Sequence, residues 1–141
     1  MEKERARALA EGYLDPIQPN KEATDRDYDL AIAYAAQEGI HLVCATHNDK
    51  STLTLTELMD QYQIDPKSDL VYFSQLYGMS DSISYNLASA GYRVVKYVPY
   101  GPVEKVMPYL SRRASENSSI AGQSSREFEL VRKEMKRRRL K

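Results

Sequence analysis

Three apolar strand segments, each followed by a helix, constrain the fold of this chain more than any other feature. The segments are short, mostly apolar runs that cover residues 40–45, 70–73 and 92–97. Continuous apolar runs of this length are typical of strands that are buried on both faces of a parallel sheet. Strands that alternate with helices predict βαβ units. The sequence therefore predicts an α/β fold with a parallel sheet.

Helices are predicted around these strands from apolar spacing and from start and stop residues. The expected helices span residues 1–12, 25–38, 51–62, 81–90, 101–117 and 125–139. Thr24 and Ser80 are the expected N-caps of the second and fourth helices, because their hydroxyl groups accept hydrogen bonds from helical N–H groups. Residues 13–23 hold two prolines and are expected to form a loop.

The chain is thus interpreted as three successive parts. These are two leading helices (1–39), three strand–helix units (40–117), and a Ser/Gly-rich break followed by a basic helix (118–141). In parallel α/β folds ligands bind at the carboxyl ends of the strands. His47, Leu76 and Tyr97 follow or end the three strands, so we expect them to share one edge of the sheet.

The helix after the third strand carries two adjacent arginines, Arg112 and Arg113. Gly101 and Pro102 favour a helix start, because proline at the first helical position lacks only an N–H group that has no helical partner there. Adjacent helical residues diverge by about 100°, so the two guanidinium groups could approach one carboxylate from two sides. Glu116 follows Arg112 by four positions and Arg113 by three, so it could form an ion pair with either one. A solvated helix face with one ordinary ion pair is the alternative that spacing alone leaves open.

Composition and residue usage narrow the function classes. Lys plus Arg equals Asp plus Glu at 20 each, so no overall field would recruit nucleic acid. Cys44 is the one cysteine; it excludes an internal disulfide, and its apolar strand indicates a buried packing role. Two histidines and one cysteine, widely spaced, give no metal-site pattern. The sequence shows no signal-peptide pattern, membrane-spanning run or glycine-rich nucleotide motif.

Three motifs together resemble the proline dehydrogenase family. They are Ala-Thr-His-Asn at 45–48, Gln-Leu-Tyr-Gly-Met at 75–79, and Tyr-Val-Pro-Tyr-Gly followed by Tyr-Leu-Ser-Arg-Arg-Ala-Ser-Glu-Asn within 97–117. The resemblance covers nearly the whole chain. It implies a distorted, TIM-like (β/α)8 barrel that binds FAD and oxidises L-proline to Δ1-pyrroline-5-carboxylate. It also implies that electrons pass to a membrane quinone.

The resemblance implies substrate-binding roles for four residues. Arg112 and Arg113 match the pair that binds the proline carboxylate. Tyr97 matches a tyrosine that shapes the pocket, and Leu76 matches an apolar residue against the substrate ring. Without the resemblance, Leu76 would be interpreted as core packing and Tyr97 as a buried tyrosine.

Five further residues are implied to lie near the cofactor. Thr46, His47 and Asn48 match the loop that runs along the FAD, although Asn48 alone would be interpreted as an N-cap. Lys21 aligns with a flavin-contacting lysine of some members, while others have a different residue there. Glu116 matches an acidic residue near the cofactor, a role that spacing does not separate from orienting an arginine.

The chain is short for the fold that the resemblance implies. Such a barrel needs about 250 residues and eight strands, and the three strands here would be the sixth to eighth. We therefore expect a carboxyl-terminal fragment that is inactive alone. The parent enzyme would be cytoplasmic or peripheral at the inner membrane in a bacterium, and mitochondrial in a eukaryote.

Two other classes of function remain open at this stage. One is a non-catalytic α/β module in which Arg112 and Arg113 bind a phosphate or an anionic partner. The other is a small α/β domain with a nucleic-acid-binding tail at 136–139. The basic last helix could also touch an acidic membrane surface, but a solvated end is the favoured interpretation.

Overall fold

The computed structural model describes residues 2–119 and 123–139. Its helices and strands follow the predicted order. They are α1 (Glu2–Glu11), α2 (Lys21–Gln37), β1 (Leu42–Ala45), α3 (Asp49–Gln61), β2 (Val71–Leu76), α4 (Asp81–Ser89), β3 (Val94–Tyr97), α5 (Val103–Ser119) and α6 (Gln123–Arg139). No helix in these two ranges is both long and apolar enough to cross a bilayer.

The chain divides into two compact units. The first holds residues 1–42 and 48–70, and the second holds residues 43–47 and 71–141. In the first unit α2 packs against α3. Ile32 of α2 and Leu55 and Met59 of α3 are buried and supply its apolar core. This burial, rather than helix propensity, stabilises such helices.

Helix α2 begins earlier than the sequence predicted. Its N-cap is Asn20, whose Oδ1 accepts a hydrogen bond from the Ala23 amide at 2.8 Å. Asparagine caps at least as well as threonine, so the expectation that Thr24 is the cap is wrong. Thr24 lies inside the helix, where its Oγ1 donates to the Asn20 carbonyl at 3.0 Å. Lys21 consequently stands in the first helical turn and not in a loop.

Replacing the observed cap should destabilise the chain, whereas replacing the expected one should not. Asn20→Ala is expected to lower the free energy of unfolding by about 1 kcal/mol, because an amide at the helix start loses its acceptor. Thr24→Ala should stay within about 0.5 kcal/mol of the parent. Urea denaturation of both variants measures the difference, and equal losses would contradict the assignment.

The second unit is built on a three-stranded parallel sheet with the order β1-β2-β3. Strands β2 and β3 pair in parallel from Phe73↔Val94 to Leu76↔Tyr97. The sheet confirms the predicted fold class. Strand β2 runs to Leu76 and not to Phe73 as predicted, because pairing with β3 continues through the polar residues Ser74 and Gln75.

The interior of the second unit is apolar along β2, but the expectation that every strand is buried on both faces is wrong for β1 and β3, because Val43 and Val95 are 58% and 41% exposed. Cys44, Val71 and Phe73 are fully buried, which confirms the packing role of the cysteine. The Phe73 ring meets the Tyr92 ring edge-to-face at 5.5 Å between centroids. Such aromatic pairs add to the free energy gained by burial.

Helix α5 starts after Gly101 and Pro102, as the sequence indicates. Its apolar stripe is left largely exposed by the described residues, with Val103 and Met107 both on the surface. Pro108 stands inside the helix. Proline has no N–H group, so position 108 cannot donate to the carbonyl of residue 104. The helix continues to Ser119, and the centre of the predicted break at 118–125 lies outside the described residues.

Candidate active site

The carboxyl ends of the three strands meet at one edge of the second unit. Leu76 and Tyr97 are directly opposite each other in the β2–β3 register, and the Tyr77 N–H donates to the Tyr97 carbonyl at 2.9 Å. On the other side of β2, the Gln75 side-chain amide donates to the Thr46 carbonyl at 3.3 Å. The edge predicted from the polar strand ends is therefore formed.

A buried polar network ties the β1 and β2 ends to the start of α4. Gln75 and Ser84 are 1% and 3% exposed. Ser84 Oγ lies 2.9 Å from Gln75 Oε1 and 3.2 Å from the Ser80 carbonyl oxygen, either of which accepts its proton. Buried amide and hydroxyl groups are costly unless they are hydrogen-bonded. The network satisfies these groups and fixes where β2 ends.

Ser80 occupies the N-cap position of α4 but does not cap the helix. Its side chain makes no capping hydrogen bond, so that part of the sequence prediction is wrong. Instead Ser80 Oγ lies 2.8 Å from Nδ1 of His47, in the loop after β1. The residue has a left-handed backbone, with φ of +50°. Non-glycine residues adopt this conformation only where the surroundings hold them there.

Lys96 of β3 supplies such a restraint. Its Nζ donates to the Met79 carbonyl at 2.8 Å and pairs with Asp81 Oδ1 at 2.8 Å. The lysine side chain is 21% exposed, so its ammonium group is only partly hydrated. The residues on both sides of Ser80 are thus held by one cation from the neighbouring strand.

An aromatic stack brings the arginine helix to the same edge. The Tyr97 ring meets the Tyr109 ring edge-to-face, with 6.3 Å between centroids and an interplanar angle of 80°. Arg113 Cζ lies 5.2 Å from the centroid of Tyr109. A guanidinium over an aromatic face is attracted by the ring quadrupole. Arg113 therefore contacts Tyr109, and Tyr109 contacts Tyr97 at the end of β3.

The remaining predicted site residues have other surroundings. Arg112 is exposed on α5, and the Glu116 side chain lies outside the described part of the chain. Asn48 is the N-cap of α3, and its Oδ1 accepts from the Lys50 amide at 3.0 Å. Lys21 pairs with Asp25 one turn further along α2.

Sequence reasoning missed several residues that build this edge. Tyr109 stands four residues before Arg113, so helical spacing already predicts that the two are neighbours, but the sequence assigned Tyr109 no role in the site. Gln75 is a polar residue within an otherwise apolar parallel strand, which is a signal for a buried network. Ser80 was expected only as an N-cap and Lys96 was assigned no role, since their partners at this edge are distant in sequence.

The sequence pattern that defines the family described as "Proline dehydrogenase" matches residues 1–126. The chain belongs to the proline dehydrogenase family. This confirms the resemblance stated from the three motifs. The family match includes every residue of the strand edge and both arginines of α5.

Named relatives support the same membership. The chain is 44% identical over 98% of its length to "Proline dehydrogenase 1, mitochondrial" of Caenorhabditis elegans and 46% identical over 96% to that of Homo sapiens. It is 43% identical over 99% of its length to "Hydroxyproline dehydrogenase" of Homo sapiens. The chain spans about a quarter to a third of these relatives, namely 24%, 23% and 32%.

A solved structure of the family has the same fold. It is the crystal structure of proline utilization A from Bdellovibrio bacteriovorus inactivated by N-propargylglycine. The match has a TM-score of 0.75 and 29% identity, and it covers 85% of this chain and 12% of the other. The strand–helix units of this proline dehydrogenase family member therefore have the arrangement found in a larger protein.

The Lys96 clamp makes a prediction about stability. Lys96→Met should lower the free energy of unfolding by about 1–2 kcal/mol, because a charge-assisted hydrogen bond to the Met79 carbonyl is lost. Lys105→Met on the exposed face of α5 is the matched control and should change it by less than about 0.5 kcal/mol. Denaturant unfolding of both variants measures this, and indistinguishable midpoints would exclude a structural role for the clamp.

Proposed function

We propose that this chain forms the carboxyl-terminal part of the catalytic barrel of a flavin-dependent proline dehydrogenase. The proposed reaction is oxidation of L-proline to Δ1-pyrroline-5-carboxylate, the first step of proline catabolism to glutamate. The observation that carries the proposal is the Tyr97–Tyr109–Arg113 stack at the edge where the strands end. It places a cation and an apolar wall together, as a small zwitterionic substrate requires.

The proposed substrate contacts follow from the chemistry of proline. Arg113 and Arg112 would bind the carboxylate, because a guanidinium fork matches two carboxylate oxygens. Leu76 and Tyr97 would cover the apolar ring. Leu76 is buried and lies opposite Tyr97 in the strand register, and Tyr97 is 55% exposed and so accessible to a ligand. Fixing both ends of the substrate aligns the reacting carbon and excludes water from it.

The residues at this edge have the chemistry that a flavin site needs. Thr46 and His47 follow β1 at the edge where β2 and β3 end in Leu76 and Tyr97, and polar and apolar residues together suit a planar heteroaromatic ring. FAD, when bound, would supply the acceptor for the hydride from proline. The resemblance adds Asn48, Glu116 and Lys21 as cofactor contacts, and these are predictions of the same proposal.

A non-catalytic module that binds an anion through Arg112 and Arg113 is the alternative. Such a module needs the cation but not the apolar wall beside it. The wall formed by the Leu76–Tyr97 pair and the stacked Tyr109 ring favours an amino acid over a bare anion. Because one relative is named for hydroxyproline, both proline and hydroxyproline should be assayed as substrates.

The proposed carboxylate ligand Arg113 is tested by substituting it in the whole protein. Arg113→Met should raise KM for proline by about 10- to 100-fold, as expected for the loss of hydrogen bonds to a charged group. Arg113→Lys should recover part of the loss, since it restores the charge without the fork. Steady-state kinetics measure both variants.

Arg132→Met is the control for that experiment. Arg132 is exposed on α6, and its removal should leave KM within about twofold of the parent. An unchanged KM in Arg113→Met would exclude this residue as the carboxylate ligand. If the parent protein turns over neither proline nor hydroxyproline, the proposed reaction is excluded.

The 141-residue chain by itself should retain FAD weakly and show no turnover. Its described residues supply three strands, whereas a barrel wall needs eight. Purified chain is therefore expected to lack the yellow absorbance of bound flavin, and fluorescence titration with FAD should show little saturable binding. Yellow, active protein from this chain alone would contradict the expectation.

Electron transfer to a membrane quinone belongs to the same proposal. The relatives named mitochondrial support a mitochondrial site if the source is a eukaryote, and a cytoplasmic or peripheral inner-membrane site is proposed for a bacterium.

The last turn of α6 carries Lys136, Arg137, Arg138 and Arg139. Glu134 holds Arg137 and Arg138, and these bonds lower the pKa of Glu134 to about 2. Such intrahelical pairs stabilise a helix end, and a solvated end stays the favoured prediction for α6.

A further inference from the structure

We propose that Ser80 is a positioning residue for the His47 loop, and that Gln75 and Lys96 hold both partners in place. None of the three belongs to the substrate or cofactor residues derived from the family motifs. Their contacts are a property of the fold. Their effect on a flavin rests on the proposed function.

The Ser80 hydroxyl contacts the His47 ring. It lies 2.8 Å from His47 Nδ1 and makes no capping bond to α4, although serine at an N-cap ordinarily does so. Ser80 is 3% exposed and His47 is half-buried, so the serine side of the contact is largely removed from water. A bond at one ring nitrogen fixes the plane of an imidazole and the direction of its other nitrogen.

The unusual backbone of Ser80 directs the hydroxyl towards His47. With φ of +50° and ψ of 42°, the chain turns sharply between β2 and α4. Lys96 binds the Met79 carbonyl on one side and the Asp81 carboxylate on the other. The cation from β3 thereby restrains both neighbours of a residue that would otherwise relax towards negative φ.

Gln75 holds the same loop at a second point. Its Nε2 donates to the Thr46 carbonyl, and its Oε1 lies 2.9 Å from Ser84 Oγ. The loop after β1 is thus fixed by its backbone at Thr46 and by its ring at His47. Two anchors from β2 and its following turn determine where the predicted flavin loop lies.

The first experiment measures the position of the His47 ring in the full 141-residue chain. The sequence has two histidines, so His41 is an internal reference. Ser80→Ala and Ser80→Gly should both shift the His47 ring signals in proton–nitrogen NMR spectra and leave those of His41 unchanged. Ser82→Ala, in the first turn of α4, is the matched control and should shift neither.

Ser80→Gly separates the hydroxyl from the backbone. Glycine adopts positive φ without strain, so this variant keeps the turn and removes the side chain that carries the hydroxyl group. If Ser80→Gly retains the parent His47 signals, the hydroxyl does not position the ring and the proposal is overturned, whatever the flavin results show.

The second experiment measures flavin and substrate affinities in the whole protein. Ser80→Gly should raise Kd for FAD by about three- to tenfold, the range expected for one lost hydrogen bond. KM for proline should stay within about twofold. Arg113→Met should show the reverse pattern, with KM raised and Kd for FAD little changed. A merely structural defect would raise both constants together.

The outcomes separate the two proposals. If the parent protein binds FAD and the Ser80→Gly variant binds it equally well, the flavin role of Ser80 is overturned and the proposed function stands. A parent protein that binds no FAD overturns the proposed function, while the NMR result still decides whether Ser80 positions His47.

Discussion

The pairing of β2 with β3 up to Leu76↔Tyr97 is the constraint on which the rest of the second unit depends. Parallel pairing places both strand ends at the same edge, since the chains run in one direction. It also sets Lys96 beside the turn after β2 and Tyr97 beside the α5 helix. A shift of the register by one residue would turn both side chains to the opposite face of the sheet.

Polar contacts at this edge are made by buried groups, and that distinguishes it from an ordinary loop surface. Gln75, Ser80 and Ser84 are nearly inaccessible to solvent, yet each has a hydrogen-bond partner. Removing one partner would leave a buried donor or acceptor unsatisfied, which costs more than a surface bond is worth. The hydrogen bonds of this edge are consequently costly to break.

The sequence allowed the order of elements and the ligand edge to be predicted, because both follow from local apolar patterns. It misplaced the start of α2, where Asn20 and Thr24 are both good caps and only the observed amide bond decides between them. It ended β2 too early, because Ser74 and Gln75 look like loop residues until their pairing with β3 is seen.

In the candidate site, too, some contacts follow from local sequence and others do not. The Tyr109–Arg113 contact follows from helical spacing and was within reach of sequence reasoning. The Ser80–His47 and Lys96–Met79 contacts join residues 33 and 17 positions apart, and no local pattern encodes them. They depend on strand order, which had to be known first.

Pro108 has a consequence for how the arginine helix can move. Because position 108 has no N–H group, the turn that it closes is held by one hydrogen bond fewer than its neighbours. Bending is easiest at such a point in a helix. Tyr109 and Arg113 both follow the proline. Bending at Pro108 would therefore move the ring and the guanidinium group together. Their mutual contact would stay intact, and their distance from the sheet would change.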